Sequence, residues 1–92
     1  LAQDDVERLL PTRPLWRQQG ATLVRDVVFP GFEQAFAFMT AAARVAEALD
    51  HHPDWRNVYN RVWITLSTHD AGGITARDFD LAQRISRLLE DK

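Results

Sequence analysis

Apolar residues recur at helical spacing in three stretches of the chain, one near each end and one in the middle. The first stretch follows two aspartates and stops at Pro11 and Pro14, and it predicts a short helix whose apolar face is Val6, Leu9 and Leu10. In the last stretch Thr75 caps a predicted helix whose apolar face is Phe79, Ala82, Ile85, Leu88 and Leu89. Each of these helices has one apolar side with which to cover a neighbouring element.

The middle stretch predicts the longest helix, from about Phe32 to Leu49, and begins after Pro30-Gly31. Its apolar positions form two adjacent rows. One row contains Phe32, Phe36, Met39, Ala43, Ala46 and Leu49, and the other contains Ala35, Phe38, Ala42 and Val45. Together the rows make a stripe wider than a small sheet needs for its cover, so we expect one edge to contact another subunit. A helix buried entirely within its own subunit is the alternative.

Four segments rich in Val, Thr and aromatic residues predict two β-hairpins, with turns at Gly20 and at Asn60-Arg61. The predicted strands are Leu15–Gln19, Thr22–Phe29, Trp55–Tyr59 and Val62–Thr68. In the last strand, residues point alternately to one side (Val62, Ile64, Leu66) and to the other (Trp63, Thr65, Ser67 and, if the strand extends, His69). The order helix, two strands, helix, two strands, helix predicts an α+β domain, a four-stranded antiparallel sheet with helices packed on one face.

The composition describes one globular domain spanning residues 1–92. Of the 92 residues, 46% are hydrophobic, and a domain this small often gains stability by associating with copies of itself. The net charge of -2, with no run of like charge, disfavours a nucleic-acid partner, because such binding needs a concentrated basic surface. Charged residues interrupt the apolar stretch from Gly31 to Leu49, so we expect no membrane span, and the first residues do not resemble a signal peptide. The absence of cysteine fits a reducing, cytoplasmic location.

The three histidines, His51, His52 and His69, lie in predicted loops or at element ends. Histidines near a helix C-terminus can simply bond the terminal carbonyl groups, which is the commoner explanation of a His-His pair. Three imidazoles could also bind zinc, although neither the HExxH spacing nor a cysteine set is present. A third interpretation is acid–base catalysis, because the unperturbed imidazole pKa of about 6.5 keeps both protonation states available. Spacing alone leaves these interpretations open.

A longer discontinuous pattern includes the histidines. It consists of Glu47, three residues, His51-His52-Pro53, five residues, Tyr59, nine residues, His69, eight residues and Asp78. Further parts of it are Val58–Val62, Ile64–His69, Gly73–Asp78 and, upstream, Trp16, Phe32, Ala35, Phe36, Phe38, Met39 and Thr40. On these residues the chain resembles, over nearly its whole length, the pterin-4a-carbinolamine dehydratase family, also known as the dimerisation cofactor of a hepatocyte nuclear homeodomain factor. Trp63 is a departure, because some members have another histidine there.

The resemblance implies a metal-free hydro-lyase that converts a 4a-hydroxy-tetrahydropterin to the quinonoid dihydropterin and water, in tetrahydrobiopterin regeneration. It implies no cofactor, since the pterin is the substrate. It further implies that His51 and His69 act as acid and base, while His52 mainly positions the pterin. The substrate-binding residues that it implies are Glu47, Pro53, Thr68, Asp70, Ala71 and Asp78.

Several of these residues also have simpler explanations. Glu47 could orient His51 from one helical turn away, or be a solvated acid. Thr75 and Asp78 have the spacing of a capping box, which is compatible with a role of Asp78 in the site. Three aromatic residues could stack on a flat pterin, although aromatics in small sheets more often pack in the core or at its rim: Trp16, Trp55 and Tyr59.

The resemblance also implies partners: dimers that associate into tetramers, and a pathway shared with aromatic amino acid hydroxylases. Two rival functions stay open. One is a binding protein that serves as dimerisation cofactor of a transcription factor, and the other is a family relative in molybdopterin metabolism or in the assembly of another protein. The intact set of three histidines favours the enzyme. We expect no direct contact with nucleic acid or membrane.

Overall fold

The computed structural model describes residues 1–90, in which helices and strands follow the predicted order. The helices are α1 (Gln3–Leu9), α2 (Phe32–Leu49) and α3 (Ala76–Glu90). The strands are β1 (Arg17–Gln19), β2 (Thr22–Val28), β3 (Asp54–Val58) and β4 (Arg61–Leu66). Short 3₁₀ turns at Leu10–Thr12 and His69–Ala71 follow α1 and β4. The predicted α+β class and the element order are confirmed.

The four strands form one antiparallel sheet in the order β1-β2-β4-β3. Residues directly opposite each other in neighbouring strands share a face of the sheet, and Leu23 stands opposite Leu66. On β4 the predicted alternation is confirmed, because Val62, Ile64 and Leu66 are buried. They form one core with apolar residues of α2 and α3, so these helices cover this face.

Several strand boundaries differ from the prediction by one or two residues. Leu15 lies outside β1, in a turn that the Trp16 amide closes on the Arg13 carbonyl. The second hairpin turns at Tyr59-Asn60 instead of Asn60-Arg61, and the Asn57 side chain donates to the carbonyls of Tyr59 and Arg61 there. The last strand ends at Leu66, so His69 lies in a loop instead of extending the strand.

The helix α2 has the predicted bounds, and the structure decides which of its apolar rows faces the sheet. Its buried residues are Ala35, Phe38, Ala42 and Ala46, and all but Ala46 belong to the second of the two predicted rows. Phe32 and Phe36 of the other row are 46% and 56% exposed, and their rings stack 5.6 Å apart. The chain thus leaves an aromatic edge of α2 uncovered.

The helix α3 packs its predicted apolar face into the core. Phe79, Ala82 and Ile85 are buried there, and Leu81 joins them although the prediction omitted it. Asp78 is also fully buried at the start of this helix. Among residues 1–90, no helix combines the length and the apolar character that crossing a membrane requires.

Candidate active site

The loop that carries two of the histidines begins where α2 ends. Asp50 has left-handed backbone angles (φ 51°, ψ 43°), its amide bonds the Glu47 carbonyl, and the His51 amide bonds the Ala46 carbonyl. These are the hydrogen bonds of a Schellman motif, in which glycine is the usual left-handed residue. The helix therefore ends at Leu49, four residues before Pro53, and the motif turns His51 back toward the start of α3.

His51 is buried and bonded to a buried carboxylate. Its Nε2 lies 2.6 Å from Oδ1 of Asp78, and the two side chains are 8% and 0% exposed. The other oxygen of Asp78 accepts bonds from the Thr68 hydroxyl at 2.8 Å and from the Thr75 amide at 2.9 Å. The carboxylate is thus held from three directions before any substrate binds.

The directions of these bonds follow from counting protons. The single Thr68 hydroxyl proton goes to Asp78, so in the 2.7 Å contact between the two threonine hydroxyls Thr75 is the donor. The Thr75 oxygen in turn accepts the Arg77 amide. A carboxylate can only accept, so Nε2 of His51 carries a proton. The carboxylate of Asp78 thus takes part in a capping box at the start of α3 and also fixes the orientation of His51.

The second ring nitrogen of His51 faces the open side. Within residues 1–90, Nδ1 has no hydrogen-bond partner, while every described side-chain nitrogen or oxygen that is shielded from solvent has one. Nδ1 is therefore reachable from solvent. With the proton on Nε2, a neutral His51 presents the Nδ1 lone pair as an acceptor.

His52 points away from His51 and is bonded to Glu47. Its Nε2 lies 2.8 Å from Oε1 of Glu47, and the two side chains are 56% and 80% exposed. The expectation that Glu47 could orient His51 is therefore wrong. Glu47 lies in the last turn of α2 and bonds His52, while Asp78 of α3 bonds His51.

His69 opens the 3₁₀ turn after β4. The turn is closed at its base by the pairing of Thr68 with Gly73, whose amides bond each other's carbonyls at 2.8 and 3.3 Å. The His69 ring is exposed and has no side-chain hydrogen bond to another residue in the described part of the chain. Its nitrogens are thus available to a ligand.

All three histidines line one open cavity of about 220 Å³. Its lining residues are Asp50, His51, His52, Ser67, Thr68, His69, Asp70 and Arg77. A neighbouring hollow of about 250 Å³ shares Ser67, Thr68 and His69 with it. The two loops that are distant in sequence therefore meet at one concave surface, the histidine pocket.

Three pocket residues were missed by sequence reasoning: Asp50, Ser67 and Arg77. Arg77 lies within Gly73–Asp78, a part of the family pattern, but the sequence did not show where its side chain would point. Its guanidinium donates to the Asp50 carbonyl at 2.6 Å and so links the start of α3 to the histidine loop. Asp50 and Ser67 carried no signal beyond their places beside histidines.

The other expected substrate-binding residues fall in several places. Thr68 and Asp70 line the pocket, whereas Glu47, Pro53 and Ala71 are not among its lining residues. Asp78 is fully buried beneath the pocket, bonded to His51, and is not among its lining residues. The three aromatic candidates are also absent from the lining, and Trp16 is buried with its indole N–H on Ser86.

Among residues 1–90, no group of three or more His, Asp or Glu side chains is arranged to hold a metal ion. The pocket instead offers imidazoles with different partners: a carboxylate for His51, an exposed glutamate for His52 and none for His69. Such a set can accept a proton at one point and deliver one at another.

Comparisons with known proteins agree on one family. The family model for pterin 4 alpha carbinolamine dehydratase matches residues 1–88. A protein of Solibacter usitatus, provisionally named a pterin-4-alpha-carbinolamine dehydratase, is 49% identical over 88 residues, which cover 96% of this chain and 93% of that protein.

Two solved structures are also similar. The crystal structure of a transcriptional coactivator/pterin dehydratase from Brucella melitensis superimposes with a TM-score of 0.93 at 37% identity, covering 96% of both chains. A pterin dehydratase-like protein described as a RuBisCO assembly factor in the alpha-carboxysome gives a TM-score of 0.68 at 29% identity. That match covers 79% of this chain and 87% of the other.

Proposed function

The chain belongs to the pterin 4 alpha carbinolamine dehydratase family, and we propose that it removes water from a 4a-hydroxy-tetrahydropterin by histidine acid–base catalysis. The observation that carries this proposal is the meeting of His51, His52 and His69 at one pocket, with His51 fixed by Asp78. The product is the quinonoid dihydropterin, so the proposed role is regeneration of tetrahydrobiopterin or a related pterin.

The reaction needs one proton removed and one supplied. The substrate loses a proton from N5, the N5 electrons form a double bond to C4a, and the C4a hydroxyl leaves as water after it is protonated. The two protons balance, so neither an oxidant nor a reductant takes part. Two groups on different sides of the pterin are sufficient for this chemistry.

We assign the base to His51 and the acid to His69. His51 presents Nδ1 to the pocket while Nε2 donates to Asp78, so a proton taken at Nδ1 creates an imidazolium that already contacts a carboxylate. His69 comes from a different loop and has no competing side-chain partner among residues 1–90. Each positioned acid or base contributes about 10²- to 10⁴-fold to such a rate. His52, held by Glu47 at the mouth, then positions the pterin.

The experiment is a direct dehydratase assay on the purified chain, with the 4a-hydroxy-tetrahydropterin generated in place by a hydroxylase. The wild-type chain should accelerate dehydration above the spontaneous rate, and the His51→Ala/His69→Ala double variant should not. Thermal unfolding of the double variant controls for loss of fold. Full activity in a folded double variant contradicts the mechanism, and an inactive wild type contradicts the function.

The proposed mechanism needs no metal, because a zinc-bound imidazole is not free to exchange a proton. Activity should therefore survive exhaustive chelation followed by gel filtration. Loss of turnover on chelation, with recovery on adding zinc, would require a different assignment of the histidines.

We also propose that two copies of the chain associate through the exposed edge of α2. The supporting observation is the pair of stacked, half-exposed rings of Phe32 and Phe36 on an edge that the sheet does not cover. Light scattering should report a multiple of the 10.5 kDa monomer mass at micromolar concentration, and Phe36→Glu should lower it. Leu15→Glu, at an exposed leucine outside α2, is the matched control and should leave the mass unchanged. A wild type that is monomeric contradicts this proposal.

A partner-binding role is the alternative, because the two similar structures are described as a transcriptional coactivator/pterin dehydratase and a RuBisCO assembly factor. For such a role we propose the exposed edge of α2 as the binding surface. The dehydratase assay separates the two functions, because Phe36→Glu should retain catalysis per subunit while disrupting binding. We place the enzyme first, since a pure binding surface gives no reason for three histidines around one pocket.

A further inference from the structure

Arg25 lies on the core-facing side of the sheet, where the neighbouring positions are apolar. It stands opposite Ile64 in the register of β2 and β4, between Leu23 and Val27 on the side that the helices cover. Its side chain reaches α3, where the guanidinium donates to the Ser86 hydroxyl at 3.0 Å. A half-buried arginine therefore lies between the sheet and the last helix.

The Ser86 hydroxyl is left with a proton to donate. Its oxygen accepts both the Arg25 guanidinium and the Trp16 indole N–H, each at 3.0 Å. A hydroxyl has two acceptor positions and one proton, and no acceptor for that proton lies within hydrogen-bonding distance among residues 1–90. The proton is thus available to a bound acceptor.

A cavity of about 160 Å³ adjoins these groups and does not overlap the histidine pocket. Arg13 lines it as well; its Nε donates to the Phe79 carbonyl at 2.9 Å and its Nη1 to the carbonyl and hydroxyl of Thr12, so among residues 1–90 only its Nη2 has no partner. Leu15 lines it too, with left-handed backbone angles (φ 74°) that are uncommon for a bulky side chain and cluster at binding sites. The polar side chains around the cavity are Arg13, Arg25, Gln83, Ser86 and Glu90.

The charges around the cavity favour an anion. Burial lowers the pKa of Arg25, and the charge of Glu90 raises it. Arg25 nevertheless has no carboxylate within 4.0 Å in the described residues, and most of its N–H groups have no partner there. Two arginines and the Ser86 hydroxyl line the cavity, against the single carboxylate of Glu90.

We propose that this cavity binds one carboxylate or phosphate group of a small anionic ligand, between the guanidinium groups of Arg13 and Arg25. The planar guanidinium of Arg25 can bind either kind of group through paired N–H bonds, Arg13 contributes its charge and the N–H groups of Nη2, and Ser86 donates a further bond. At about 160 Å³ the cavity is smaller than the histidine pocket, and the proposal therefore assigns it a single anionic group. Glu90 competes with the ligand for Arg25.

The Trp16 indole N–H is a local reporter, because it shares the Ser86 oxygen with Arg25. The ¹⁵N-labelled chain is titrated with inorganic phosphate and, separately, with acetate, at an ionic strength held constant with sodium chloride. The indole N–H signal of Trp16 is assigned as the one that disappears in the Trp16→Phe variant. We expect a saturable shift of this signal with at least one anion, and the anion that binds more tightly identifies the group.

Variants test the residues that carry the proposal. Arg25→Gln should weaken binding roughly tenfold or more, and Arg25→Lys, which keeps the charge, should bind with intermediate affinity. Glu90→Gln should tighten binding about threefold. The matched control is Arg17→Gln, which removes the same charge from an exposed arginine and should leave the affinity unchanged.

His51→Ala should also leave the Trp16 response unchanged, which separates this cavity from the histidine pocket and from the fate of the dehydratase proposal. The proposal is overturned if neither anion gives a saturable shift at tens of millimolar concentration. It is equally overturned if a folded Arg25→Gln variant binds as the wild type does, because Arg25 then only packs against Ser86.

Discussion

His51 and His52 are adjacent in the sequence, but the His51 side chain is buried and the His52 side chain is exposed. Both rings bond a carboxylate at nearly the same distance, 2.6 Å to Asp78 and 2.8 Å to Glu47. The first pair is enclosed between the loop and α3, while both members of the second are mostly in water. Pro53 favours an extended backbone at the residue before it, and neighbouring side chains on an extended backbone diverge.

The difference shows that distance alone does not measure what a histidine–carboxylate pair contributes. An exposed pair is screened by solvent and typically contributes about 0 to 1 kcal/mol. Breaking a buried pair costs about 3 to 5 kcal/mol, because the remaining group has lost water and partner together. We therefore expect the Asp78 side of the pocket to maintain both fold and chemistry, and the Glu47 side to adjust substrate binding.

The largest effect is expected for Asp78→Ala. This change leaves the donors on His51, Thr68 and Thr75 without their acceptor, and it should lower the free energy of unfolding by about 3 to 5 kcal/mol. Urea denaturation measures it. The matched control is Asp80→Ala on the same helix, where the exposed Arg84 pair predicts a loss below about 1 kcal/mol. Equal losses in the two variants would remove the contrast between buried and exposed pairs.

The next effect is expected for His51→Ala and for His69→Ala. Each should lower kcat by roughly 10- to 10⁴-fold while the fold persists, because one proton-transfer group is lost and the other remains. Steady-state dehydratase kinetics measure the change, and circular dichroism checks the fold. A folded His51→Ala enzyme with unchanged kcat would show that the buried histidine is structural.

A smaller effect is expected for His52→Ala. If His52 positions the pterin, its loss should raise KM by roughly three- to tenfold and lower kcat no more than that. The comparison with His51→Ala is the control, since that variant should change mainly kcat. A His52 variant that loses turnover as severely as His51→Ala, with KM unchanged, would contradict the division of roles.

The smallest effect is expected for Glu47→Ala. Its exposed bond to His52 predicts a change in unfolding free energy below about 1 kcal/mol, and this change should shrink further in high salt. Urea denaturation at low and high ionic strength measures it. A loss as large as that of Asp78→Ala would show that exposure to solvent does not limit what the pair of Glu47 and His52 contributes to the free energy of unfolding.

The sequence by itself determined the order of elements, the bounds of α2 and the inward residues of β4. These features depend on repeats of two and about 3.6 residues, which are local properties of a chain. It also determined the family, through a pattern too long to arise from one local motif. The structure brings together in one pocket the three histidines to which the resemblance gave a joint task.

Only the tertiary structure decided how those histidines are held. The bond between His51 and Asp78 joins residues 27 positions apart, and spacing within α2 pointed instead to Glu47. The left-handed Asp50 that ends α2 was not visible, because glycine, the usual residue there, is absent. Likewise the choice of which α2 row faces the sheet, and the proximity of Arg25 to Ser86, depend on how distant elements pack. Local periodicity places a side chain on a face of its own element, but its partner is set by the elements that fold against that face.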